Sequence, residues 1–464
     1  MPPVEAPLKA SPRPAQAGRA AVVRGWGGGR GAAVELLRPT SVEAVQAALA
    51  GDRSRPSRGA IARGLGRSYG DAAQLSGGLV IDTTGLEGWH LDEARGVVTA
   101  AAGVTLLELL EALVPRGWMV PVVPGTQHVT VGGAIASDIH GKNHGSAGTF
   151  GSHVEALGLL TCAGEVRELA PGEPDGAFEA TLGGMGLTGL IVWARVKLRA
   201  VSGPLLSVDT DRVEDLDEAL AALSAAGGPY RVAWLDLLSP RPGRGIVTRA
   251  GHLHGSGAAA GAGATVRPRA TIPAWWPGGL LRPGTIRAFN ELRFRRAPRH
   301  ARAQVESIAA HMFPLDALAA WPRLYGPRGF VQYQLVVPPG EERVLQRVIE
   351  RLGRARVPCF LAVLKDFGPA NAAPLSFPMR GWTLALDLPR AADGLHSLLD
   401  SFDELVAGAG GRVYLTKDAR MRRVALEAMY PRLDEWRAAR ERVDPEALWR
   451  SDLALRTGLL DGER

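Results

Sequence analysis

Ala62-Arg63-Gly64-Leu65-Gly66-Arg67-Ser68-Tyr69-Gly70-Asp71 follows a short apolar segment that has the pattern of a β-strand. Its glycines allow close approach of the backbone, and successive N–H groups in such a loop form a concave nest that binds phosphate oxygens. A lone Gly-x-Gly would indicate no more than a turn between strands. Two further glycine-rich stretches lie downstream, at residues 123–144 and 183–191. Three such stretches in one region predict a site for a long nucleotide.

Two common nucleotide-binding folds have sequence motifs that differ from these glycine-rich stretches. The Gly-x-x-x-x-Gly-Lys-Ser/Thr sequence of a P-loop does not occur in this chain. Tyr69 stands where the dinucleotide fingerprint of the Rossmann fold requires its third glycine. Both folds are therefore disfavoured.

The order of apolar patterns predicts an α+β chain with two domains, since 464 residues exceed the roughly 250–300 that one hydrophobic core usually serves. Strands are predicted at 61–66, 78–82, 97–101, 330–337 and 382–388, and helices at 41–50, 105–113, 214–226, 341–352 and 395–406. The glycine motifs stop near Val201, where we place a domain boundary. Residues 1–18 are predicted to form a disordered arm, and residues 255–302 a mobile basic loop.

Composition excludes several classes of protein. The chain is 46% hydrophobic and 22% charged, as in folded globular proteins. Its two cysteines, Cys162 and Cys359, cannot supply a disulfide framework or a four-thiolate zinc site. No stretch approaches the ~18 apolar residues of a spanning helix, and the N-terminus lacks the apolar core of a signal peptide. We expect a cytoplasmic protein or one peripheral at the plasma membrane, with a periplasmic location left open.

The positive charge is concentrated in one segment. The formal net charge is +7, while residues 267–302 hold nine arginines against one acid, Glu291, so this segment contributes 9 − 1 = +8 and the remainder 7 − 8 = −1. Aromatic and leucine residues alternate with these arginines, a mixture suited to an anionic membrane surface. A solvated basic loop fits the same composition equally well. No recognised nucleic-acid-binding module accompanies the charge, so we expect no nucleic-acid partner.

Lysine is scarce in this chain. Of the 54 basic residues 49 are Arg, and the lysines are Lys9, Lys142, Lys197, Lys365 and Lys417. An ammonium is a compact donor whose pKa shifts readily, whereas a guanidinium is a fixed planar fork. The remaining lysines are therefore candidates for chemistry, although a base-composition bias explains any single one equally well.

The glycine-rich loops together resemble those of the vanillyl-alcohol-oxidase type of FAD-dependent oxidoreductase. Within that type the chain resembles the family of decaprenylphosphoryl-β-D-ribose 2'-oxidases. The segments that carry this resemblance are residues 63–71, 131–143, Val331-Gln332-Tyr333-Gln334, Pro374-Leu375-Ser376-Phe377-Pro378 and Ala428-Met429-Tyr430-Pro431. They lie in the same order as in the family and span nearly the whole chain.

The resemblance implies a two-domain vanillyl-alcohol-oxidase-type fold. An FAD-binding domain would comprise residues 19–199 and 412–464, and residues 200–411 would form a substrate-binding domain with an antiparallel sheet. The implied reaction is FAD-dependent oxidation of the ribose 2-hydroxyl of a polyprenyl-phosphate-linked ribose to the 2-keto sugar. An NAD(P)H-dependent keto-sugar reductase would then complete the epimerisation to the arabinose donor for cell-wall arabinan. Covalent flavoproteins of this type carry His where this chain has Arg67, so we expect non-covalent FAD.

The resemblance also assigns roles to individual residues. The expected catalytic residues are Lys417, Tyr69 and His140, and the expected substrate-binding residues are Gln332, Gln334, Lys365, Phe367 and Thr383. The expected cofactor-binding residues are Ala62, Arg63, Gly64, Leu65, Gly66, Arg67, Ser68, Tyr69, Gly70, Asp71, Ala72, Gly125, Thr126, Thr130, Val131, Gly132, Gly133, Ser137, Asp138, Ile139, His140, Lys142, Asn143, Ile191 and Tyr414. No metal ligand is expected.

Simpler structural roles remain open for several of these residues. Lys417 could be satisfied by the neighbouring Asp418, His140 could bond to backbone, and Gln332 and Gln334 could form a buried amide pair. The chain also departs from the best-known family members, which have Trp-Asn-Ile-Cys-Val-Asp where this chain has residues 382–387, Trp-Thr-Leu-Ala-Leu-Asp. No thiol is therefore available there, and the exact sugar stays open. A soluble FAD-dependent sugar or alditol oxidase using oxygen is the alternative function.

Overall fold

The computed structural model describes residues 18–50, 58–241, 243–253, 263–276 and 281–460. In these ranges the strands are β1 (Arg19–Val23), β2 (Ala32–Leu37), β3 (Ala60–Arg63), β4 (Leu79–Asp82), β5 (Trp89–Asp92), β6 (Val97–Ala101), β7 (Trp118–Met119), β8 (Val154–Leu160), β9 (Val166–Leu169), β10 (Leu190–Lys197), β11 (Arg199–Ala200), β12 (Leu205–Val213), β13 (Tyr230–Asp236), β14 (Arg244–His252), β15 (Ala270–Thr271), β16 (His300–Ser307), β17 (Leu318–Ala319), β18 (Phe330–Val337), β19 (Ala362–Phe367), β20 (Gly381–Pro389) and β21 (Arg412–Val413).

The helices of the described ranges alternate with these strands. They are α1 (Val42–Ala50), α2 (Leu106–Leu113), α3 (Val131–Ala136), α4 (His144–Ala147), α5 (Ala177–Thr181), α6 (Leu216–Ser224), α7 (Pro283–Arg296), α8 (Ile308–Met312), α9 (Glu342–Arg354), α10 (Leu395–Gly408), α11 (Arg423–Met429), α12 (Leu433–Val443) and α13 (Asp452–Thr457). None of them is long and apolar enough to cross a membrane. The mixture of sheets and helices is the α+β class that the sequence predicts.

The N-terminal part contains two sheets. The first has the order β1-β2-β4-β3, in which β2, β4 and β3 run parallel and β1 is antiparallel. The second is antiparallel in the order β5-β6-β10-β8-β9. Helix α2 begins with a capping box between Thr105 and Glu108, and four of its five leucines are buried in the core of this part.

The middle of the chain forms one eight-stranded antiparallel sheet in the order β16-β12-β14-β13-β19-β20-β18-β21. Helices α6 and α10 contact this sheet, and Tyr333 and Leu335 of β18 lie in the core that contains buried residues of these helices. Side chains alternate along a strand, so Gln332 and Gln334 of β18 point to the opposite face. That face is turned toward the N-terminal part of the chain, because Gln334 contacts His140.

The last helices return to the N-terminal part. Trp436 of α12 donates its indole N–H to the carbonyl of Ala180 at 3.0 Å, and Trp449 forms a parallel bridge with Ala60 of β3. These contacts support the proposed assignment of residues 412–464 to the same domain as residues 19–199. The first of these residues, β21, nevertheless pairs with β18 of the eight-stranded sheet.

The expectation of a mobile loop at residues 255–302 is wrong for its second half. Residues 283–296 form helix α7, and β16 begins at His300. Only Ile286, Asn290 and Phe294 of α7 are buried, so its inward stripe is too narrow to show as a period among the arginines. Residues 254–262 and 277–280 lie outside the described residues, as do residues 1–17 of the expected N-terminal arm.

Most predicted elements agree with the structure in type and position. The strands at 97–101 and 330–337 have the predicted bounds, and the helix at 214–226 is the shorter α6. One element within the glycine stretches was missed. Residues 131–136 form helix α3, whose first turn is capped by the Thr130 side chain accepting from the N–H of Gly133.

We expect Arg440 to anchor the C-terminal segment. Its buried guanidinium donates to Asp444 at 2.7 Å and to the carbonyls of Leu187 and Trp449. The change Arg440→Gln leaves a buried carboxylate without its counter-ion, so it should destabilise the fold by about 3–5 kcal/mol. Thermal unfolding beside the exposed control Arg347→Gln, expected to change stability by under about 0.5 kcal/mol, measures this. Equal melting of the two variants would contradict the assignment.

Candidate active site

The three glycine-rich stretches converge on one open cavity, here called the glycine cleft. It is bordered by residues 62–68, 129–139 and 185–191 together with Thr416. The third stretch is attached to α3, because the N–H groups of Gly183 and Met185 donate to the carbonyls of Ile135 and Ala136. The prediction that these stretches act together at one site is therefore consistent with their placement.

The residues of the glycine cleft fit an elongated dinucleotide. Six glycines line it, so the backbone can lie close to a ligand. Gly66 has φ 63°, and a Cβ there would lie 2.1 Å from the guanidinium of Arg63. Arg67 lines the cleft over the ring of Trp26 at 3.8 Å, and its buried Nε has no hydrogen-bond partner among the described residues. A donor of this kind, held in a cleft of ligand size, is suited to a phosphate or a flavin oxygen.

A second open cavity, here called the sheet cavity, adjoins the first. Strands β13, β14 and β19 form one wall, and residues 123–125, 140–142 and 310–315 form much of the other. Ile139 lines the glycine cleft while His140 lines the sheet cavity, so one loop separates the two. A ligand bound in the glycine cleft and a ligand bound in the sheet cavity would therefore both contact this loop.

His140 is enclosed by aromatic rings at the boundary. Phe367, Tyr414 and Phe377 lie with ring centroids 4.8, 5.2 and 5.6 Å from its own. Burial, and then the charge of nearby Lys365, hold its pKa well below the usual value, so the ring is neutral. The amide of Gln334 donates to Nε2 at 2.9 Å, which places the ring proton on Nδ1. Nδ1 is buried with no partner among the described residues and is free to donate to a ligand.

Lys417 lies beside Tyr69 and Asp387. Its Nζ is 4.1 Å from the centroid of the Tyr69 ring, and the Tyr69 N–H donates to the carbonyl of Thr416, which joins the two loops. Burial lowers the pKa of Lys417, and the attraction of Asp387 opposes this shift. Burial raises the pKa of Asp387, while Gln332 donates to its Oδ1 at 2.5 Å and its Oδ2 has no partner among the described residues. A buried amine and carboxylate thus face each other at the site.

The alternative that Asp418 satisfies Lys417 is not what the structure shows. Asp418 pairs with Arg456 of α13 at 2.8 Å, and Arg456 also binds Asp71. This bridge ties the Lys417 turn to the loop that carries Tyr69. Two loops that the sequence separates by more than 340 residues are thereby held together.

The other two scarce lysines of the site line the sheet cavity. Burial lowers the pKa of Lys365 to about 8, and burial followed by the charge of Lys365 lowers that of Lys142 to about 7. The Nζ of Lys142 donates to the carbonyl of His311. Lys365 lies 5.9 Å from the ring of Phe367 and lines the sheet cavity together with His140.

The expected cofactor-binding residues divide into two groups. Those that line the glycine cleft are Ala62, Gly64, Leu65, Gly66, Arg67, Ser68, Ala72, Thr130, Gly132, Gly133, Ser137, Ile139 and Ile191. Those placed elsewhere are Arg63, Tyr69, Gly70, Asp71, Gly125, Thr126, Val131, Asp138, His140, Lys142, Asn143 and Tyr414.

Several residues of the second group make hydrogen bonds within the protein that the sequence motifs did not indicate. Arg63 donates to backbone carbonyls of residues 24 and 73, and Asn143 donates to the carbonyl of Pro121. Thr126 donates to Asp316, and Asp138 accepts from three groups of the surrounding chain. They shape the loops that carry the lining residues rather than forming the cleft surface themselves.

Thr383 also has a different position from the one expected. It is fully buried, donates to the carbonyl of Leu335 and accepts from the amide of Gln334 at 3.0 Å. It therefore orients Gln334 instead of lining the sheet cavity, and the expected direct sugar contact is replaced by a positioning role. Ala385 follows on the same strand and carries no thiol.

Sequence reasoning missed some residues of the site. Asp387 was noticed only within the strand pattern, yet it lies directly opposite Gln332 in the β18–β20 register. Glu306, His311, Trp234 and Arg293 line the sheet cavity and were also missed. A charged or amide side chain within an otherwise apolar strand was the available signal for Asp387. The other four come from elements that only the tertiary structure brings together.

Comparison with known proteins agrees with the geometry. A family model described as "FAD binding domain" matches residues 35–170. The chain is 41% identical over 448 residues to decaprenylphosphoryl-beta-D-ribose oxidase of Mycolicibacterium smegmatis, covering 94% of this chain and 97% of that protein. It is also 41% identical over 372 residues to an uncharacterised protein of Streptomyces coelicolor, covering 77% of this chain and all of that one. A xylooligosaccharide oxidase from Myceliophthora thermophila shares the fold, with a TM-score of 0.66 at 16% identity over 93% of each chain.

The fold and the glycine cleft define a flavoprotein oxidoreductase of the vanillyl-alcohol-oxidase type that uses FAD. By its relation along nearly the whole chain, the protein belongs to the decaprenylphosphoryl-β-D-ribose oxidase family. The resemblance drawn from the sequence motifs is thereby confirmed.

We expect the FAD to be released by acid. A covalent bond to the flavin methyl requires a nucleophilic side chain such as His, and Arg67 at this position is a guanidinium that stays protonated. Precipitation of the holoenzyme with acid should therefore leave the yellow chromophore entirely in the supernatant. A coloured pellet would contradict the prediction, and a covalent flavoprotein treated alongside serves as the control.

Proposed function

We propose that this protein oxidises the ribose 2-hydroxyl of a polyprenyl-phosphate-linked ribose to the 2-keto sugar. The observation that carries the proposal is the loop between the cofactor cleft and the sheet cavity, where Ile139 lines the cleft and His140 lines the cavity together with Lys365. The relative with 41% identity is named for decaprenylphosphoryl-β-D-ribose, which supports the class of substrate. The sheet cavity combines apolar walls with cationic side chains, as a lipid phosphate requires.

The reaction removes a proton from the hydroxyl and a hydride from its carbon. When bound, FAD supplies the acceptor for the hydride. The proton goes to the Lys417–Asp387 pair, because burial lowers the pKa of the amine and raises that of the carboxylate, so that both can exchange a proton. Burial is the cause of these pKa shifts. In water the amine would stay fully protonated, and the carboxylate would be too weak a base.

Other side chains orient the sugar. The neutral His140 presents its Nδ1–H, and the buried Oε1 of Gln332 and Oδ2 of Asp387 present acceptors without partners among the described residues. Lys365 adds an ammonium from β19. These groups match the donors and acceptors of vicinal sugar hydroxyls, and each would leave an unsatisfied buried polar atom if no ligand bound.

The aromatic residues exclude water from the reaction. Tyr69 packs edge-on against Phe330 at 5.5 Å, and Tyr325 stacks on the other side of Phe330 at 4.4 Å. The resulting apolar wall lowers the local dielectric around Lys417, which strengthens its interaction with Asp387.

Two partners complete the proposal. A 2-keto sugar regains a hydroxyl of inverted configuration only after hydride addition from the other face, which requires an NAD(P)H-dependent keto-sugar reductase. We also propose contact with an anionic membrane surface, where a prenyl phosphate resides. Trp275, Phe289 and Leu292 are exposed at 78%, 43% and 50% among the basic residues of this segment, which supports such a contact.

The substrate assignment is tested by anaerobic titration of the holoenzyme with farnesylphosphoryl-β-D-ribose. We expect the visible flavin absorbance to bleach, with one 2-keto sugar formed per flavin, and no bleaching by free ribose. Bleaching by free sugars or alditols with rapid peroxide formation in air, and none by the prenyl phosphate, would establish the sugar-oxidase alternative instead.

Lys417→Ala should retain FAD yet lose at least about 100-fold in the rate of flavin reduction, because the proton acceptor is removed. Stopped-flow absorbance measures the rate, and Lys197→Ala, an exposed lysine, is the matched control. In the wild type the rate should fall as pH drops below neutrality, since the pair is then doubly protonated. Unchanged reduction in Lys417→Ala would remove this residue from the mechanism.

Membrane contact predicts weaker vesicle binding when basic residues are removed. The triple change of Arg269, Arg296 and Arg299 to Gln should lower the affinity for phosphatidylglycerol–phosphatidylcholine vesicles by up to about 3 kcal/mol, and added salt should abolish the difference. Sedimentation with the vesicles measures binding. The same change at Arg343, Arg347 and Arg354 of α9 should have little effect, and equal losses would refute a local membrane surface.

A further inference from the structure

The sheet cavity extends beyond the residues that surround the reacting hydroxyl. Leu361, directly before β19, and Val363 and Lys365 of β19 are alternate residues that line it in a row. Lys365 lies near the His140 end, since its charge acts directly on His140. Successive residues on one face of a strand are roughly 6.5–7 Å apart, so the row leads away from the reaction end in steps of that length.

Arg293 of α7 lies over this row. Its guanidinium is 4.8 Å from the ring centroid of Trp234, and Trp234 pairs with Val363 in the β13–β19 register. Val363 lies two residues before Lys365 on β19, and Arg293 and Lys365 both line the sheet cavity. The phosphate of the proposed substrate is carried on the ribose carbon next to the reacting one, so a single ligand can contact both residues.

Arg293 is exposed to solvent at the edge of the cavity. In the part of the chain that the structure describes, no carboxylate lies within ion-pair distance of it. Its neighbours on the same helix are different, because Glu291 binds both Arg295 and Arg244 at 2.5 Å. A guanidinium that lines a cavity, stacked on an indole and without a counter-ion, is suited to bind an anion through its planar fork.

The two lysines of the cavity are less suited to this anion. Lys142 donates to the carbonyl of His311 and is attracted by Glu306. Lys365 is at the reaction end, where the sugar hydroxyls would lie. Phe289, one helical turn before Arg293, stacks near Phe360 at 5.4 Å and provides apolar surface for a chain leaving the phosphate.

We propose that Arg293 binds the phosphodiester of the prenyl-phosphoryl sugar and so fixes the ribose with its 2-hydroxyl at Lys417. This inference rests on the proposed function. It assigns Arg293 as a determinant of specificity for phosphate-bearing over neutral glycosides. It also explains why a helix with so narrow an apolar stripe covers this cavity, because α7 presents the residue that recognises the charge.

The experiment compares wild type, Arg293→Gln, Arg293→Lys and the control Arg347→Gln, at an exposed position of α9, as holoenzymes. The substrates are farnesylphosphoryl-β-D-ribose and its neutral counterpart, farnesyl β-D-ribofuranoside. For Arg293→Gln we expect KM for the phosphate-bearing substrate to rise roughly 10- to 100-fold, with flavin content and kcat little changed. KM for the neutral compound should stay the same. Arg293→Lys should give an intermediate KM because it keeps the charge and loses the fork.

An equal rise of KM for both compounds, an unchanged KM, or the same rise in Arg347→Gln would overturn the inference. Binding of farnesyl phosphate, followed by flavin fluorescence, separates this result from the proposed function. If the wild type bound farnesyl phosphate and Arg293→Gln bound it at least tenfold more weakly, phosphate recognition would stand even with no turnover of the ribose compound. If both bound it equally, Arg293 would have no such role.

Discussion

The buried carboxylate of Asp138 holds the two cavities in their relative places. It accepts hydrogen bonds from the N–H of Gly151 at 2.9 Å and from Asn371 and Ser376 at 2.6 and 2.5 Å. The donors come from both sides of the domain boundary, so one side chain joins the loop after α3 to the segment beside the eight-stranded sheet. Its backbone has φ 39°, an unusual conformation that these bonds hold. Ile139 and His140 follow directly, and each lines a different cavity.

Desolvation shifts the pKa values of several charged groups at the site. Burial lowers the pKa of Lys365 and Lys417 and raises that of Asp387, so groups that water would keep fully ionised become able to exchange protons near neutrality. A buried charge is stable in such a site only if an opposite charge lies nearby. Asp387 supplies that balance for Lys417, while Asp418 is already engaged by Arg456. The adjacent carboxylate in the sequence is therefore not the functional one.

The departures from the best-known family members have local consequences. Thr383 orients Gln334, which in turn fixes the tautomer of His140. Ala385 removes a thiol without disturbing the strand. Arg67, where covalent members of the wider flavoprotein type carry His, stacks on Trp26 and offers a charged donor to the cofactor cleft.

The sequence alone determined the class of the fold, the family, the use of FAD and the strand that carries Gln332 and Gln334, because glycine loops and strand periodicity are local properties of the chain. It did not show strand β19, which carries Lys365. It did not reveal helix α7, since three inward residues among many arginines leave no clear period. Nor did it single out Asp387 or Arg293 as members of the site. Asp387 joins the site through its cross-strand register with Gln332, and Arg293 through the packing of helix α7 against the sheet. Both arrangements bring together residues that are distant in sequence. Only the tertiary structure determines which charged side chains are buried and which groups they then contact.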